Sequence, residues 1–376
     1  MKSLRIWLKK IIILIKTLCR WEVLRLSPVI KWKLFKLALK EKTILVGDQY
    51  FFSTFIPPLL SRPFNFYLKW IENFFNKKYT PEYLGICVTN DCPNNCEFCS
   101  NKSAPKGKET SLEEIIKTVE FFKSKGISKV GLTGGEPLLR SDLPEIISEI
   151  NKKDLFIALC TSGYGLSLQK AKELREASKL MLMKIGLDFG DEETNDRGKN
   201  RRGAFNDAVE AIKNSLEVGF CVIVETVLSR KMINSPEIFF KFVDLLEGLG
   251  VHELQFLEPK PSGAYFSAEY AVGLSAAEKQ RFYELAKQVN HSRRKIKCSS
   301  FFELEDKLVG CMGGLGNFYL DAIGNLCPCA FWSYPVGNIR ESSLEEIFSR
   351  FNARFKSPKG RCSALASAAE RFIMEK

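Results

Sequence analysis

The reading of the fold turns on Thr89-Asn90-Asp91-Cys92-Pro93-Asn94-Asn95-Cys96-Glu97-Phe98-Cys99. Three thiols fall within eight residues, spaced C-x3-C-x2-C, just after a short apolar run that reads as a strand. Structural zinc sites and closed iron–sulfur sites take four ligands. Three clustered thiols instead suit a [4Fe–4S] cube with one iron left open to a small molecule. The wider cysteine usage agrees: twelve in 376 residues, some clustered and some single, favour metal ligation in a reducing compartment over a disulfide scaffold. Only two histidines, His252 and His291, are present, so a histidine-rich metal site or a His-based triad has little to draw on.

Downstream of this stretch, apolar runs alternate with helical periods. Strands are expected at 84–89, 128–132, 155–160, 181–188, 220–228 and 252–257, and helices at 111–125, 142–152, 167–178, 204–218 and 236–248. Ser111 with Glu114 makes an S-x-x-E capping box, and Asp142 precedes a helix with Pro144 early in it. Six β/α units in series predict an α/β fold, a parallel sheet curved into a partial (β/α)6 TIM-type barrel. Chemistry in such folds sits at the carboxyl ends of the strands, where the cysteine stretch falls. The second strand ends in Gly131-Leu132-Thr133-Gly134-Gly135-Glu136-Pro137. Its two glycines let the backbone bend and approach a ligand, and Glu136 offers a carboxylate at the same mouth. Alone, that run reads equally as a tight β-to-α turn; one unit after C-x3-C-x2-C it points to a ligand site.

These residues resemble the radical S-adenosylmethionine (SAM) superfamily over roughly residues 84–365. The spacing of Cys92, Cys96 and Cys99, with the aromatic Phe98 before the last, is similar to the family signature. The resemblance implies that these cysteines hold a [4Fe–4S] cluster whose open iron is chelated by the amino and carboxylate groups of SAM. It also implies that Gly134, Gly135 and Glu136 hold the methionyl amino group. Thr161 and Ser162 then form the third-strand turn, and Asp188 and Arg197, with Arg202-Gly203, line the SAM pocket from the fourth. At Gly186 the chain departs from the pattern, because many relatives carry a serine there whose hydroxyl reaches SAM. The implied chemistry is that of an enzyme. One electron from a low-potential cluster cleaves SAM to methionine and a 5′-deoxyadenosyl radical, which takes hydrogen from substrate. A reductant such as flavodoxin or ferredoxin is the implied electron donor.

A second cysteine constellation comprises Cys311, Cys327, Cys329 and Cys362, with an alternating segment at 317–329 around Gly324 that reads as a β-hairpin. Cys311, Gly324 and Cys329 resemble the C-x(n)-G-x4-C pattern of the SPASM/twitch extension of radical SAM enzymes. Too few thiols follow for two clusters, so one auxiliary [4Fe–4S] cluster is implied, its fourth ligand open among Cys327, Cys298, a substrate atom or none from the protein. A zinc knuckle on the same thiols is the alternative. Cys19, Cys87, Cys160 and Cys221 sit singly in apolar runs and read as buried small hydrophobes.

The charge is concentrated at the amino terminus. Residues 1–42 carry twelve lysines and arginines against Glu22 and Glu41, which accounts for ten of the chain's twelve net positive charges. With Trp7, Trp21 and Trp32 among them, and with Ile11 to Ile15 the longest uncharged run of the apolar stretch 4–18, the segment reads as lying on a membrane rather than crossing it. A helical extension packed on the barrel is the plainer alternative. The aromatic, proline-rich run from 50 to 75 reads as either a greasy substrate entrance or a flap over the barrel.

The expected organisation is an N-terminal region 1–80, a radical SAM core 81–290 and a small β-hairpin/α twitch-like module 291–376. The expected function is radical SAM catalysis on a small molecule or lipid, at the inner face of the cytoplasmic membrane. Maturation of a ribosomal peptide or cofactor precursor is the second enzyme reading, although no winged-helix leader-binding module is legible in residues 1–80. A non-catalytic iron–sulfur carrier would lack Gly134-Gly135-Glu136. The positive charge lies in a greasy helix rather than a polar tail, which disfavours nucleic acid.

Overall fold

A computed structural model describes residues 42–102, 104–265, 273–332 and 334–360, together with Pro28, Lys31 and Cys362. The basic segment expected to bind a membrane thus lies, but for Pro28, Lys31 and Lys42, outside the described residues. Among the described residues no helix is long and apolar enough to cross a membrane.

The described chain opens with a hairpin, β1 (Ile44–Val46) and β2 (Gln49–Phe51), and a helix, α1 (Arg62–Phe75). Then come the six expected units. Strand β3 (Tyr83–Cys87) leads through the cysteine loop to α2 (Leu112–Lys125), and β4 (Lys129–Thr133) to α3 (Leu143–Asn151). Strand β5 (Phe156–Thr161) precedes α4 (Leu168–Ala177), and β6 (Met181–Gly186) precedes a polar helix, α5 (Glu192–Lys199), before α6 (Ala204–Glu217). Strand β7 (Cys221–Val227) leads to α7 (Pro236–Leu249), and β8 (Glu253–Leu257) to α8 (Ala276–His291). The capping box forms: Ser111 Oγ accepts from Glu114 N at 3.2 Å, and Ser111 N donates to Glu114 Oε2 at 2.8 Å. Asp142 does not cap α3; its carboxylate is taken by Arg140 Nε at 2.6 Å, a charge-assisted bond that outcompetes the cap.

Strands β3 to β8 pair in parallel in sequence order, and two additions extend the sheet. Strand β9 (Lys297–Ser300) adds a seventh parallel strand beside β8. On the other edge β10 (Asn317–Leu320) runs parallel to β3, and β11 (Asn325–Cys327) and β12 (Gly337–Asn338) fold back from it antiparallel before a final helix, α9 (Leu344–Arg354). The hairpin read from the sequence at 317–329 is therefore β10–β11, and it continues the barrel sheet. The result is an incomplete barrel of eight adjacent parallel strands with a short antiparallel edge.

Alternation along each strand sorts residues between two environments. On β6, Met181, Met183 and Ile185 join the large core under the helices, with Ile157, Leu159, Val222, Val224, Leu254 and Phe256 from neighbouring strands. The opposite face of the same strands carries Phe156, Leu182, Cys221 and Ile223 at its amino-terminal end, packed around Phe51 of the hairpin. Higher on that inner face lie Lys184, Glu225 and Gln255.

This packing decides the role of the aromatic run. Phe51 packs tilted on Phe156 with centroids 6.0 Å apart, Phe55 packs on Phe301 at 5.5 Å, and Lys297 Nζ donates to Phe52 O at 2.7 Å. Helix α1 buries Phe64, Leu68 and Trp70 with Tyr50, Met312 and Leu315. Apart from Phe301, just past β9, the sheet residues that the run meets (Phe156, Leu182, Cys221, Ile223 and Lys297) lie in the amino-terminal halves of their strands, so the run closes the end opposite the cysteine loop. It is a cover and not an entrance, since all its rings but Phe75 are fully or partly buried.

Candidate active site

The exit of β3 is pinned before the first cysteine. Glu109 Oε1 accepts from Thr89 Oγ1 at 2.8 Å and Asn90 N at 2.7 Å, and Arg140 donates to Val88 O at 2.6 Å. The next turn docks onto it through backbone bonds, Gly135 N to Thr89 O and Glu136 N to Asp91 O, both 2.7 Å. The two glycines are required by this contact. A Cβ on Gly134 would stand 2.5 Å from Thr89 O, and one on Gly135 would stand 2.2 Å from Asp91 O. Their close approach is thus to the cysteine loop's own backbone.

Glu136 is fully buried, and its carboxylate is occupied. It accepts from Thr161 Oγ1 at 2.6 Å, Ser162 N at 2.7 Å, the Ser162 hydroxyl and Leu138 N at 3.1 Å. Gly134, Gly135, Glu136, Thr161 and Ser162 are therefore one braced unit, with Glu136 tying the second-strand turn to the third.

The fourth turn supplies a cation. Asp188 is buried, with Oδ1 accepting from Val227 N at 2.8 Å and Oδ2 paired with Lys199 Nζ at 2.6 Å. Lys199, from the last turn of α5, is itself only 6% exposed. Burial works against its ammonium, but Asp188 and the Cys96 thiol outweigh that and hold its pKa above the usual lysine value. A Cβ at Gly186 would lie 3.5 Å from Lys199 Nζ, so the missing serine leaves a place beside this lysine. Nζ also stands over the Phe98 ring at 5.1 Å. The cysteine loop is stitched to the same helix by Asn95 N to Lys199 O at 3.0 Å and Glu97 N to Gly198 O at 3.1 Å. Arg197 is exposed on α5 and does not join the pocket; nor does exposed Arg202. Sequence reasoning missed Lys199, and Arg201, which donates to Asn94 and lies over the Tyr164 ring at 5.1 Å. The available signal was a second cation two residues beyond Arg197 on a polar helix.

Three thiols at this mouth, Cys92 exposed and Cys96 and Cys99 half-buried, suit a cluster by donor chemistry, with a buried ammonium to offset thiolate charge. Among the described residues no three His, Cys, Asp or Glu side chains converge on a single ion position. A cluster takes its thiolates one to an iron rather than at one point.

Below the mouth the inner face is polar. Lys184 Nζ reaches Glu225 Oε1 at 2.7 Å and Gln255 Oε1 at 2.6 Å. Burial lowers the Lys184 ammonium, but Glu225 and Cys160 more than compensate. Fully buried Gln255 Nε2 and Glu253 Oε2 have no partner among the described residues. Their signal was a charged or amide side chain in the middle of an otherwise apolar strand.

The C-terminal thiols form a second group. Cys311 bridges to Lys359 through Cys311 N to Lys359 O at 2.8 Å, and Gly314 N donates to Pro328 O at 3.1 Å, so the Cys311 segment lies beside Pro328-Cys329. Cys329 is pushed up to about 12, chiefly by burial and then by neighbouring Cys362. Cys327 is buried in β11, across from Tyr319, with Asp321 and Cys329 acting on it. Cys298 lies in β9 within the helix-side core, bonded through its backbone to Asn290, so it is no ligand for this group.

This arrangement matches known families. The model described as Radical SAM superfamily matches residues 86–241, and one described as Iron-sulfur cluster-binding domain (SPASM) matches residues 311–364. The chain is a radical SAM enzyme with a SPASM/twitch-type C-terminal extension, and its cofactors are SAM, a [4Fe–4S] cluster and auxiliary iron–sulfur. It is 25% identical over 313 residues to the AdoMet-dependent heme synthase of Methanosarcina barkeri, covering 75% of this chain and 87% of that protein. It is 36% identical over 208 residues to the GTP 3',8-cyclase of Aquifex aeolicus, covering 52% of this chain and 62% of that one. In fold it is similar to Streptococcus suis SuiB bound to precursor peptide SuiA, with TM-score 0.61, 15% identity and coverage of 74% of this chain and 67% of that one. It is also similar to anSMEcpe with bound AdoMet, with TM-score 0.56, 20% identity and coverage of 73% and 82%.

Proposed function

We propose that Cys92, Cys96 and Cys99 hold the SAM-binding cluster, that the Gly134-Gly135 backbone and Lys199 bind the two ends of the SAM methionyl group, and that the substrate is polar. Bound there, the cluster and SAM supply the electron transfer and the 5′-deoxyadenosyl radical that takes a substrate hydrogen. The chain's own part is placement. Glu136 fixes two turns relative to each other, Asp188 aims Lys199, and the hairpin cover keeps water from the closed end. Cys311, Cys329 and Cys362 are the proposed auxiliary ligands.

The observation that carries the substrate class is the Lys184–Glu225–Gln255 group one layer below Gly186. An ion pair and an amide with unspent hydrogen-bonding capacity cost free energy against an apolar tail, about 1–3 kcal/mol for each unsatisfied buried group. They suit a ligand rich in amides or hydroxyls, such as a peptide or a cofactor precursor. The peptide named with SuiB is of that chemistry. Peripheral membrane contact through residues 1–41 is a separate proposal, standing on their charge and tryptophans.

The test uses anaerobically reconstituted protein with dithionite and SAM, which is expected to release 5′-deoxyadenosine; none released overturns the catalytic reading. Polar and lipid extracts from cells grown in deuterated medium are then added. Deuterium entering 5′-deoxyadenosine from the polar extract supports the substrate class, and deuterium from the lipid extract alone overturns it. Liposome flotation with and without residues 1–41 tests the membrane proposal, which unchanged flotation removes.

A further inference from the structure

A lysine outside the barrel mouth has an unusual setting. Lys260 lies in the loop Glu258-Pro259-Lys260-Pro261-Ser262-Gly263 that leaves β8, and it is 8% exposed. Burying an ammonium costs several kcal/mol unless it is paired. Its partners are the Glu305 carboxylate, with Nζ 3.2 Å from Oε2, and the Phe331 ring, 5.6 Å from Nζ and two residues from Cys329; the Cys362 thiol is close enough to favour its charged form. Cys329 lies within its field. Glu258, the other nearby carboxylate, is already paired with Lys279 at 3.1 Å and accepts from Leu274 N at 3.3 Å.

The loop holds this cation in place. Prolines on both sides restrict the backbone at Lys260, and Ser262 N donates to Lys260 O at 2.8 Å. Three residues beyond Lys260, Gly263 at φ +56 rests on the other cysteine loop, where an added Cβ would be 2.2 Å from Cys99 O. Ala264 N donates to that same oxygen at 2.9 Å. One short loop therefore touches Cys99 at one end and presents a fixed positive charge to Cys329 and Cys362 at the other.

We infer that Lys260 is a positioning residue for the auxiliary cluster, whose buried positive charge beside the Cys329 and Cys362 segments raises that cluster's reduction potential. The inference rests on the assignment of Cys311, Cys329 and Cys362 as its ligands. The potential of a thiolate cluster follows its net charge, the hydrogen bonds to its sulfurs and its exposure. A cation held against the thiolates stabilises the more negative, reduced state. Glu305 acts in the opposite sense on the same group.

The measurement is an EPR-monitored redox titration of full-length protein carrying Cys92→Ala, Cys96→Ala and Cys99→Ala, so that only the auxiliary signal remains. Lys260→Met is expected to shift the midpoint to more negative potential, Lys260→Arg to leave it near the parent, and Glu305→Gln to shift it to more positive potential. An unchanged midpoint in Lys260→Met with full iron overturns the inference, as does an arginine variant that shifts as far as methionine. Should Lys260→Met lose its iron, Glu305→Gln decides, and no positive shift there is fatal. Iron analysis of the parent separates the two levels. About four irons are expected once the first site is gone, and none would remove the ligand assignment and this inference with it.

Discussion

At the barrel mouth, Cys92, Cys96 and Cys99 come from one loop whose backbone is bonded to β4's exit and to α5. At the C-terminal site, Cys311, Cys329 and Cys362 come from three segments brought together by the bridge to Lys359 and the bond to Pro328. The first group is fixed locally: Glu136 and Asp188 are spent on bracing, and each turn docks on the one before. The second depends on β10 pairing with β3 across more than two hundred residues of chain. Its charge balance is set by Lys260, which belongs to the barrel and not to the C-terminal segment. The comparison teaches that a local motif can carry its own scaffold, whereas a dispersed one borrows it.

The largest effects should come from removing ligands, and they test whether the two sites are independent. Cys96→Ala is expected to abolish 5′-deoxyadenosine formation and to lower bound iron from about eight to about four per chain. Cys329→Ala should lower iron similarly while retaining SAM cleavage without substrate. If either substitution empties both sites, the independence drawn above is broken.

Next is the buried pair at the mouth. Lys199→Met leaves Asp188 buried and uncompensated, which is expected to cost about 3 kcal/mol in denaturant unfolding. It should also raise the KM for SAM. Adding Asp188→Asn removes the stranded charge and should restore most of the stability without restoring SAM affinity. Recovery of both would make Lys199 purely structural. Arg197→Ala, on the exposed side of the same helix, should stay within about 0.5 kcal/mol and leave the KM unchanged.

That contrast also marks what was legible in the chain. The six β/α units, the cysteine loop and the Gly134-Gly135-Glu136 turn were readable because local periodicity and spacing specify them. Lys199 was not, because a helix rich in charges gives no sign of which residue turns inward. Arg197 follows the aspartate of the family pattern, yet helical geometry puts the residue two further on into the pocket. Gly186 was read as a loss, and only the three-dimensional neighbour shows a cation beside it. The 50–75 run was ambiguous because apolar composition specifies burial and not which end of a barrel is buried. Strand β9 and Lys260 were missed for one reason: their partners lie far away in sequence.

A smaller effect sharpens how the second region borrows its scaffold. Arg340, in the turn after β12, donates to Glu114 Oε1 at 2.6 Å and Oε2 at 2.9 Å, to Lys108 O at 2.8 Å and to Glu109 O at 3.0 Å. Glu109 also holds Thr89, so this arginine joins the C-terminal segment to the residues that brace the first cysteine loop. The hydrogen bonds from Arg340 are the main cause holding the Glu114 carboxyl at about 2, so at neutral pH the pair is fully ionised and a substitution reads contact rather than titration. Both side chains are about one-third exposed, which limits the pair to about 1 kcal/mol. Arg340→Met should therefore speed amide exchange in residues 317–329 about fivefold while leaving residues 84–88 unchanged. Equal acceleration in both segments would mean that the two regions open as one unit, and the local scaffold at the mouth would be no more self-sufficient than the dispersed one.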